Sequence, residues 1–472
     1  MQNTERIWSL VEAKREPFQA LADRVWGMPE IAYTEYRSVA EHLATLKTEG
    51  FRITENLAGI PTAVMGEAGS GGPVIAILGE YDALPGLSQE AGIAEAKPLE
   101  TGGHGHGCGH NLLGSAALLA ATAVKDLLAE LGIEGRVRYY GCPAEEGGAA
   151  KGFMVREGCF KDVDIAISWH PASFNRVDDA RSLANTRIDF SFKGRAAHAS
   201  ASPHLGRSAL DAVELMNVGV NYMREHMPSD ARIHYAILDA GGVAPNVVQA
   251  QAKVRYAVRA RDLAGLNQLI ARVRKVAEGA ALMTETQMEA QVVSAVSNLL
   301  GNTPLEETMQ RVFDRLGGPA FDDADRAFAT KIQATLSAQD IESAYRRQGI
   351  PVRPNTPLCD FVVPRETNGE AMLGSTDVGD VSWAVPTVQA RAAVHAIGTP
   401  LHTWQVTAQG KMPAAHKGMV HVAKVMAATA VEVLKDTALL ARAKADHAAR
   451  LGATPYVCPI PPDVKPPLQP RP

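Results

Sequence analysis

Residues 73–78, PVIAIL, run without a polar side chain and stop at GEYDALPG. A strand apolar at every position has both faces buried, and such strands belong to parallel sheets covered by helices. Two further strand signals follow. Arg136–Tyr140 ends in GCPAEEGG, and Asp164–Trp169 ends in His170-Pro171. Between the first two, Asn111–Leu131 (NLLGSAALLAATAVKDLLAEL) reads as a helix apolar on more than one face. Strands alternating with helices predict an α/β fold with a mainly parallel sheet.

Near Asn185 the pattern changes. RIDFSFK, residues 187–193, alternates like a half-exposed strand. Then come a helix over Ser208–Glu225, strands over Arg232–Leu238 and Val247–Arg259, a helix over Leu263–Ala280 and a strand over Met288–Val296. The order β-α-β-β-α-β is that of a ferredoxin-like unit, which buries its own core. We therefore expect a catalytic domain in two parts, residues 1–183 and 301–472, with an inserted domain at 184–300. The second part is mostly helical, ending in helices at about 417–434 and 436–450. The tail YVCPIPPDVKPPLQPRP should be extended.

Composition excludes some functions. The chain has 472 residues, 46% hydrophobic and 21% charged, as a globular protein of more than one domain would. A net charge of −5 argues against a general nucleic-acid or anionic-membrane binder. Five cysteines are odd in number and sparse, which points to a reducing compartment. The N-terminus MQNTERIWSLVEAKREPFQAL is a charged amphipathic helix pattern rather than a signal peptide. The longest apolar stretch, Leu112–Val124, falls short of the ~20 residues a membrane span needs. The expectation is a cytoplasmic protein with no membrane or nucleic-acid partner.

In open α/β sheets, ligands sit at the carboxyl ends of strands. Here the first strand ends at Glu80 and Asp82, the second at Glu145 and Glu146, and the third at His170. Cys108 and His110 precede the long helix and should reach the same edge. Such a donor set suits a borderline-soft divalent metal, Zn²⁺ or Mn²⁺. The helix start should also stabilise a Cys108 thiolate by ~0.3–1 kcal/mol. Each feature alone has a plainer reading: a glycine-rich turn around a buried cysteine, a solvated carboxylate pair, a core histidine. His104 and His106 read as spectators, and the GxGxG spacing is a weak dinucleotide signal because no strand directly precedes it. Beside a metal the carboxylate pair divides its labour, one binding the ion and one moving a proton. Arg259, Arg261 and Arg195 are candidate anchors for a substrate carboxylate, against the plainer reading of solvated arginines.

The ordered set GEYDALPG, GHGCGHNLLGSA, PAEEGG, WHP and FKGRAAHASASPHLGRSALDA resembles the aminoacylase and glutamate carboxypeptidase-type metallopeptidases. The resemblance spans nearly the whole chain. It implies a metal-dependent amidohydrolase that cleaves a small N-acyl amino acid or dipeptide-like amide with a free carboxylate, aminobenzoyl-glutamate-type amides among them. Water is activated by one or two divalent ions per subunit. The implied ligands are Cys108, His110, Glu146, His170 and His402, with His395 and His416 as rivals to the last. Glu145 would be the general base, and Asp82 would orient a ligand. His198 would reach an active site, often the partner's, and Asn246 would help hold substrate. The inserted domain would be a lid and dimerisation domain, giving a homodimer, with a related A-type subunit as a further partner. Glu80 stands where many relatives carry a metal-binding histidine, which leaves the metal count open. The STDVGDVSW segment departs from the relatives' pattern, so no role passes to Asp377 or Asp380. Two rival readings are a cysteine-nucleophile hydrolase using Cys108 and a non-catalytic metal-binding subunit.

Overall fold

The computed structural model describes residues 2–178, 180–367, 369, 374–452 and 456–469. Its strands form two sheets. The larger contains β1 (Arg52–Glu55), β2 (Val64–Ser70), β3 (Val74–Glu80), β4 (Gly135–Cys142), β5 (Ile165–Ala172), β6 (Arg176–Val177) and β11 (Thr387–Ala393). Their spatial order is β1-β2-β4-β3-β5-β11-β6. The central four, β4-β3-β5-β11, are parallel, and the edges are antiparallel. All of β3 is buried, which is why its sequence shows no alternation.

The helix His110–Leu131 lies against β3 and β4 and against the helix Pro413–Lys435. Its apolar surroundings on several sides explain its composition. At 22 residues it is long and apolar enough to cross a membrane, so the length argument from Leu112–Val124 fails. What accounts for its apolarity is burial in the core. Gly114 sets its approach: a β-carbon there would meet the Glu80 carbonyl oxygen at 2.5 Å and His42 at 2.9 Å. The absent side chain brings the helix start down onto the end of β3.

The second sheet contains β7 (Ala184–Lys193), β8 (Arg232–Asp239), β9 (Gln251–Ala260) and β10 (Gln287–Val296) in the order β10-β7-β9-β8, all antiparallel. With the helices Ala209–Met223 and Leu263–Thr284 on one face, this is the ferredoxin-like arrangement. Ile188, Phe190, Val254, Tyr256 and Val258 enter a core with Val213, Met216, Leu269 and Val273. Fully burying such side chains contributes about 1.5–3 kcal/mol each. The expected strand from Val247 starts later, at Gln251. Val247 and Val248 belong to a loop whose backbone pairs with His198 and Ala197. Their β-branched side chains mimicked a strand that Gly241, Gly242 and Pro245 delay.

After the second sheet come helices Thr303–Leu316, Asp323–Gln333 and Ala338–Gln348, each capped by a side-chain oxygen of Asn302, Asp322 or Ser337. The described tail, residues 456–469, carries neither helix nor strand and packs back on the catalytic part. Arg156 Nη1 donates to the carbonyls of Pro461 and Val464 at 2.8 Å each. Residues 470–472 of the expected extended tail lie outside the described residues.

Candidate metal centre

Strand ends, a helix start and a late loop meet at the carboxyl edge of the parallel strands. The loop after β4 is held in a costly shape. Ala144 and Ala149 have φ of 56° and 55°, a left-handed conformation costing an L-residue ~1–2 kcal/mol. Buried partners hold it there: the Ala144 N–H donates to Glu35 Oε1 at 2.9 Å, and the Tyr33 hydroxyl donates to the Gly148 carbonyl at 2.7 Å. Glu145 and Glu146 thereby line a cavity of about 810 Å³ that also exposes Cys108, His170 and His402. His402 is itself left-handed at φ 61°, and its N–H donates to the Gly107 carbonyl at 2.8 Å. That bond ties the loop after β11 to the glycine-rich loop before Cys108.

Donor atoms of Cys108, His110 and His170 lie within 4.8 Å of one another. So do those of Cys108, Glu146 and His402, and those of Glu80, His110 and Glu145. All five sequence-proposed ligands are therefore in one place, and Glu80 joins them. Asp82 organises two of the ligands. One of its oxygens lies 2.9 Å from His110 Nδ1, and the other accepts from the Glu146 N–H at 2.9 Å. With Nδ1 donating to Asp82, neutral His110 presents a bare lone pair at Nε2. That atom faces Glu80 Oε2 at 3.3 Å; both are buried and neither makes a hydrogen bond. Two orphaned lone-pair atoms facing each other out of water fit a divalent cation. His170 is prepared in the same way: its Nδ1 lies 2.8 Å from the Pro171 carbonyl oxygen and its Nε2 3.4 Å from Cys108 Sγ.

The electrostatics of the ion-free chain fit this reading. Burial, with the Arg391 charge, holds His170 well below the usual histidine range, as a neutral ligand must be. Burial opposes a charged His110, but Cys108 and Asp82 act the other way and raise its pKa. Burial also opposes the Glu146 carboxylate, yet the His402 contact at 3.1 Å and the His110 charge bring it down to about 2. Burial, then Glu80 and Glu146, push Glu145 well above the carboxylate range. The expected thiolate at Cys108 is corrected: burial and the Glu146 charge raise the thiol well above its ordinary value, overriding the helix start. Without a metal this sulfur is a poor nucleophile, which weakens the cysteine-hydrolase reading.

Other sequence-proposed residues lie elsewhere. His198 and Asn246 are exposed neighbours, with the Ala199 N–H donating to the Asn246 carbonyl at 2.9 Å, and neither lines the cavity of its own chain. Arg259 lines the cavity; Arg195 and Arg261 are exposed and do not. Of the rivals to His402, His395 is buried in the cavity wall, with Nδ1 3.1 Å from Ser173 Oγ. His416 lies away from the cavity, with Nε2 2.8 Å from Asp23 Oδ1. His106 faces the Val25 carbonyl at 3.1 Å, as a spectator should.

Sequence reasoning missed Lys151. It is fully buried, with Nζ 2.6 Å from Glu80 Oε1 and 2.7 Å from Asp377 Oδ1. Asp377, left without a role from sequence, thus shares Lys151 with Glu80 in a buried charge balance behind the donor cluster. A lysine directly after EEGGAA and ahead of the apolar run GFMV was the available signal.

The model of peptidase family M20/M25/M40 matches residues 76–388. The chain is 48% identical over 97% of its length to the B-type chain of p-aminobenzoyl-glutamate hydrolase from Escherichia coli K12, covering 97% of that protein. To the A-type chain of the p-aminobenzoyl-glutamate hydrolase of the same organism it is 30% identical, over 49% of this chain and 54% of that one. A solved structure of a putative aminohydrolase from methicillin-resistant Staphylococcus aureus shares the fold, with a TM-score of 0.64 at 17% identity. The match covers 92% of this chain and 100% of that one. Ligand geometry, fold and sequence agree that the chain belongs to peptidase family M20/M25/M40.

Proposed function

We propose that this protein is a metal-dependent amidohydrolase acting on a small N-acyl amino acid, with aminobenzoyl-glutamate-type amides as the first substrates to try. That it is a hydrolase acting on an amide follows from the family and from the 48% identity to the B-type chain of p-aminobenzoyl-glutamate hydrolase. The observation that carries the reading is the buried pair of orphaned atoms on His110 and Glu80, beside two further donor triads and a carboxylate of raised pKa.

Cys108, His110, Glu146, His170 and His402 would hold the metal, with Mn²⁺ or Zn²⁺ the natural occupants of a sulfur, nitrogen and oxygen donor set. When bound, the ion supplies Lewis acidity to the amide carbonyl and acidifies water. Glu145 takes a proton from the attacking water and delivers it to the leaving amine nitrogen. Its raised pKa suits a group that must both accept and release that proton. Asp82 keeps His110 in the tautomer that points Nε2 inward.

The inserted domain, residues 184–300, acts as the lid. Its His198 lies outside its own cavity, which supports action across a homodimer, with Asn246 holding substrate in the same way. The similarity to the B-type chain of a hydrolase that also has an A-type chain makes a related A-type chain a second partner. All five cysteines are free, in keeping with a cytoplasmic location.

The test is metal content of purified protein together with hydrolysis of acyl-glutamates, acyl-aspartates and β-alanyl dipeptides. We expect at least one ion per chain, loss of activity on chelation and recovery with Mn²⁺ or Zn²⁺. Activity unaffected by complete metal removal would refute the reading.

A further inference from the structure

We propose that Glu35 and Tyr33 are positioning residues: together they clamp the loop after β4 at both ends and so aim Glu145 at the reacting amide. This rests on the reading of Glu145 as the base. Among the described residues no hydrogen bond or ion pair holds the Glu145 carboxylate, which lines the cavity. Its direction is therefore set by the backbone that carries it, and that backbone is pinned on either side. The Ala144 N–H donates to Glu35 Oε1 and the Glu146 N–H to Asp82 Oδ2, each at 2.9 Å.

Glu35 reaches this loop from 109 residues earlier in the chain. It stands at the N-cap of the helix Tyr36–Thr48, yet its side chain does not cap that helix. Instead Oε1 also accepts from the Tyr33 N–H at 2.9 Å, and Oε2 accepts from the Thr62 hydroxyl at 3.1 Å. Tyr33 and Ala144 are both left-handed, with φ of 64° and 56°. One carboxylate oxygen thus collects the N–H groups of two residues in an unfavourable conformation. Burial, then the Asp82 charge, push Glu35 up to about 8. A side chain needed only to fill this space would be apolar and would avoid that burial cost.

The far end of the loop is held by the same short segment. The Tyr33 hydroxyl donates to the Gly148 carbonyl at 2.7 Å, and the Gly148 N–H returns to the Ala144 carbonyl at 3.0 Å. The tyrosine ring lies so close that a β-carbon at position 148 would meet its Cε2 at 2.6 Å. Neither Glu35 nor Tyr33 lines the cavity, so neither is placed to touch substrate. Their effect passes through Glu145. A base must lie within hydrogen-bond reach of the proton it takes, and a misplacement of about 1 Å can cost ~10²-fold.

The test uses metal-loaded Glu35→Ala, Glu35→Gln and Tyr33→Phe. It reads kcat and KM per bound metal, and hydrogen–deuterium exchange of the peptide spanning residues 143–149, which needs no substrate. Glu35→Ala should keep wild-type metal content, since Asp82 still holds Glu146. It should lose about 10–100-fold in kcat with little change in KM, and exchange faster in that peptide. Glu35→Gln keeps an oxygen for both N–H groups and offers an NH₂ to the Thr62 hydroxyl, so it should restore both readouts. In a Glu145→Gln background, Glu35→Ala should cost no more than about twofold further, because a positioning residue acts through the group it positions. Loop exchange or kcat unchanged in Glu35→Ala overturns the clamp, as does an undiminished loss in the Glu145→Gln background. If Glu35→Ala does not fold, Tyr33→Phe decides. It removes the hydroxyl and keeps the ring, so loop exchange should rise and kcat fall about 3–10-fold, the range of one hydrogen bond; unchanged values overturn the proposal. Faster loop exchange in Glu35→Ala of a protein that hydrolyses no amide keeps the clamp and refutes the reading of Glu145 as base.

Discussion

In the proposed site Asp82 and Glu145 divide the work. Asp82 fixes one ligand through its ring and another through its backbone. Glu145 shares a three-donor group with Glu80 and His110, and like charges help to keep its pKa high. Glu145→Gln preserves size and removes the proton acceptor. We expect it to keep wild-type metal content and lose about 10²–10⁴-fold in kcat. Full activity with full metal in that variant would move the base elsewhere. Cys108, His110, Glu146 and His170 were legible in sequence because each follows a strand or stands at a helix start, where an α/β sheet gathers ligands; His402 came only from the family resemblance, with His395 and His416 as rivals. Lys151 was not legible: a lysine in a short helix reads as solvated, and the acid that holds it, Asp377, lies 226 residues further along the chain.

Elements were readable where burial was uniform or strictly alternating. β3 announced itself by having no polar position, and β9 by alternating along its whole length. What sequence missed were joints between elements. Asp380, on the helix Val378–Ala384, receives hydrogen bonds from Ser297 just past β10 and from Tyr456 in the tail, at 2.7 and 2.6 Å. Its isolation from water raises its pKa to about 6. A carboxyl whose folded pKa exceeds its unfolded value contributes stability that is full below about pH 4 and is lost as pH rises through 6. Asp380→Asn abolishes this dependence. Compared by urea unfolding at pH 4 and pH 7.5, the variant should gain roughly 2–3 kcal/mol on the wild type between the two. A difference that does not change with pH would show that the carboxyl is not titrating in this interval.

At the scale of the whole molecule, the lid and the ligands are separable. The inserted domain supplies His198 and Asn246, while all five proposed metal ligands lie in the other two segments. If His198 serves the neighbouring site, mixing inactive His198→Ala with inactive Glu145→Gln should restore activity once subunits exchange, because some mixed dimers hold one intact site. Demonstrated exchange without recovery would confine His198 to its own chain. The order of strands in the large sheet bears on a different matter, the time course of synthesis. β5 ends at Ala172, but β11, its parallel neighbour, begins about 200 residues later at Thr387. The second sheet is contiguous in sequence and can form as it leaves the ribosome; the large one cannot. At ~5–20 residues per second, β5 waits roughly 10–40 s with one edge open before β11 arrives. During that interval the nascent chain carries an apolar, unpaired strand edge, and the demand for chaperones should be greatest between those two strands.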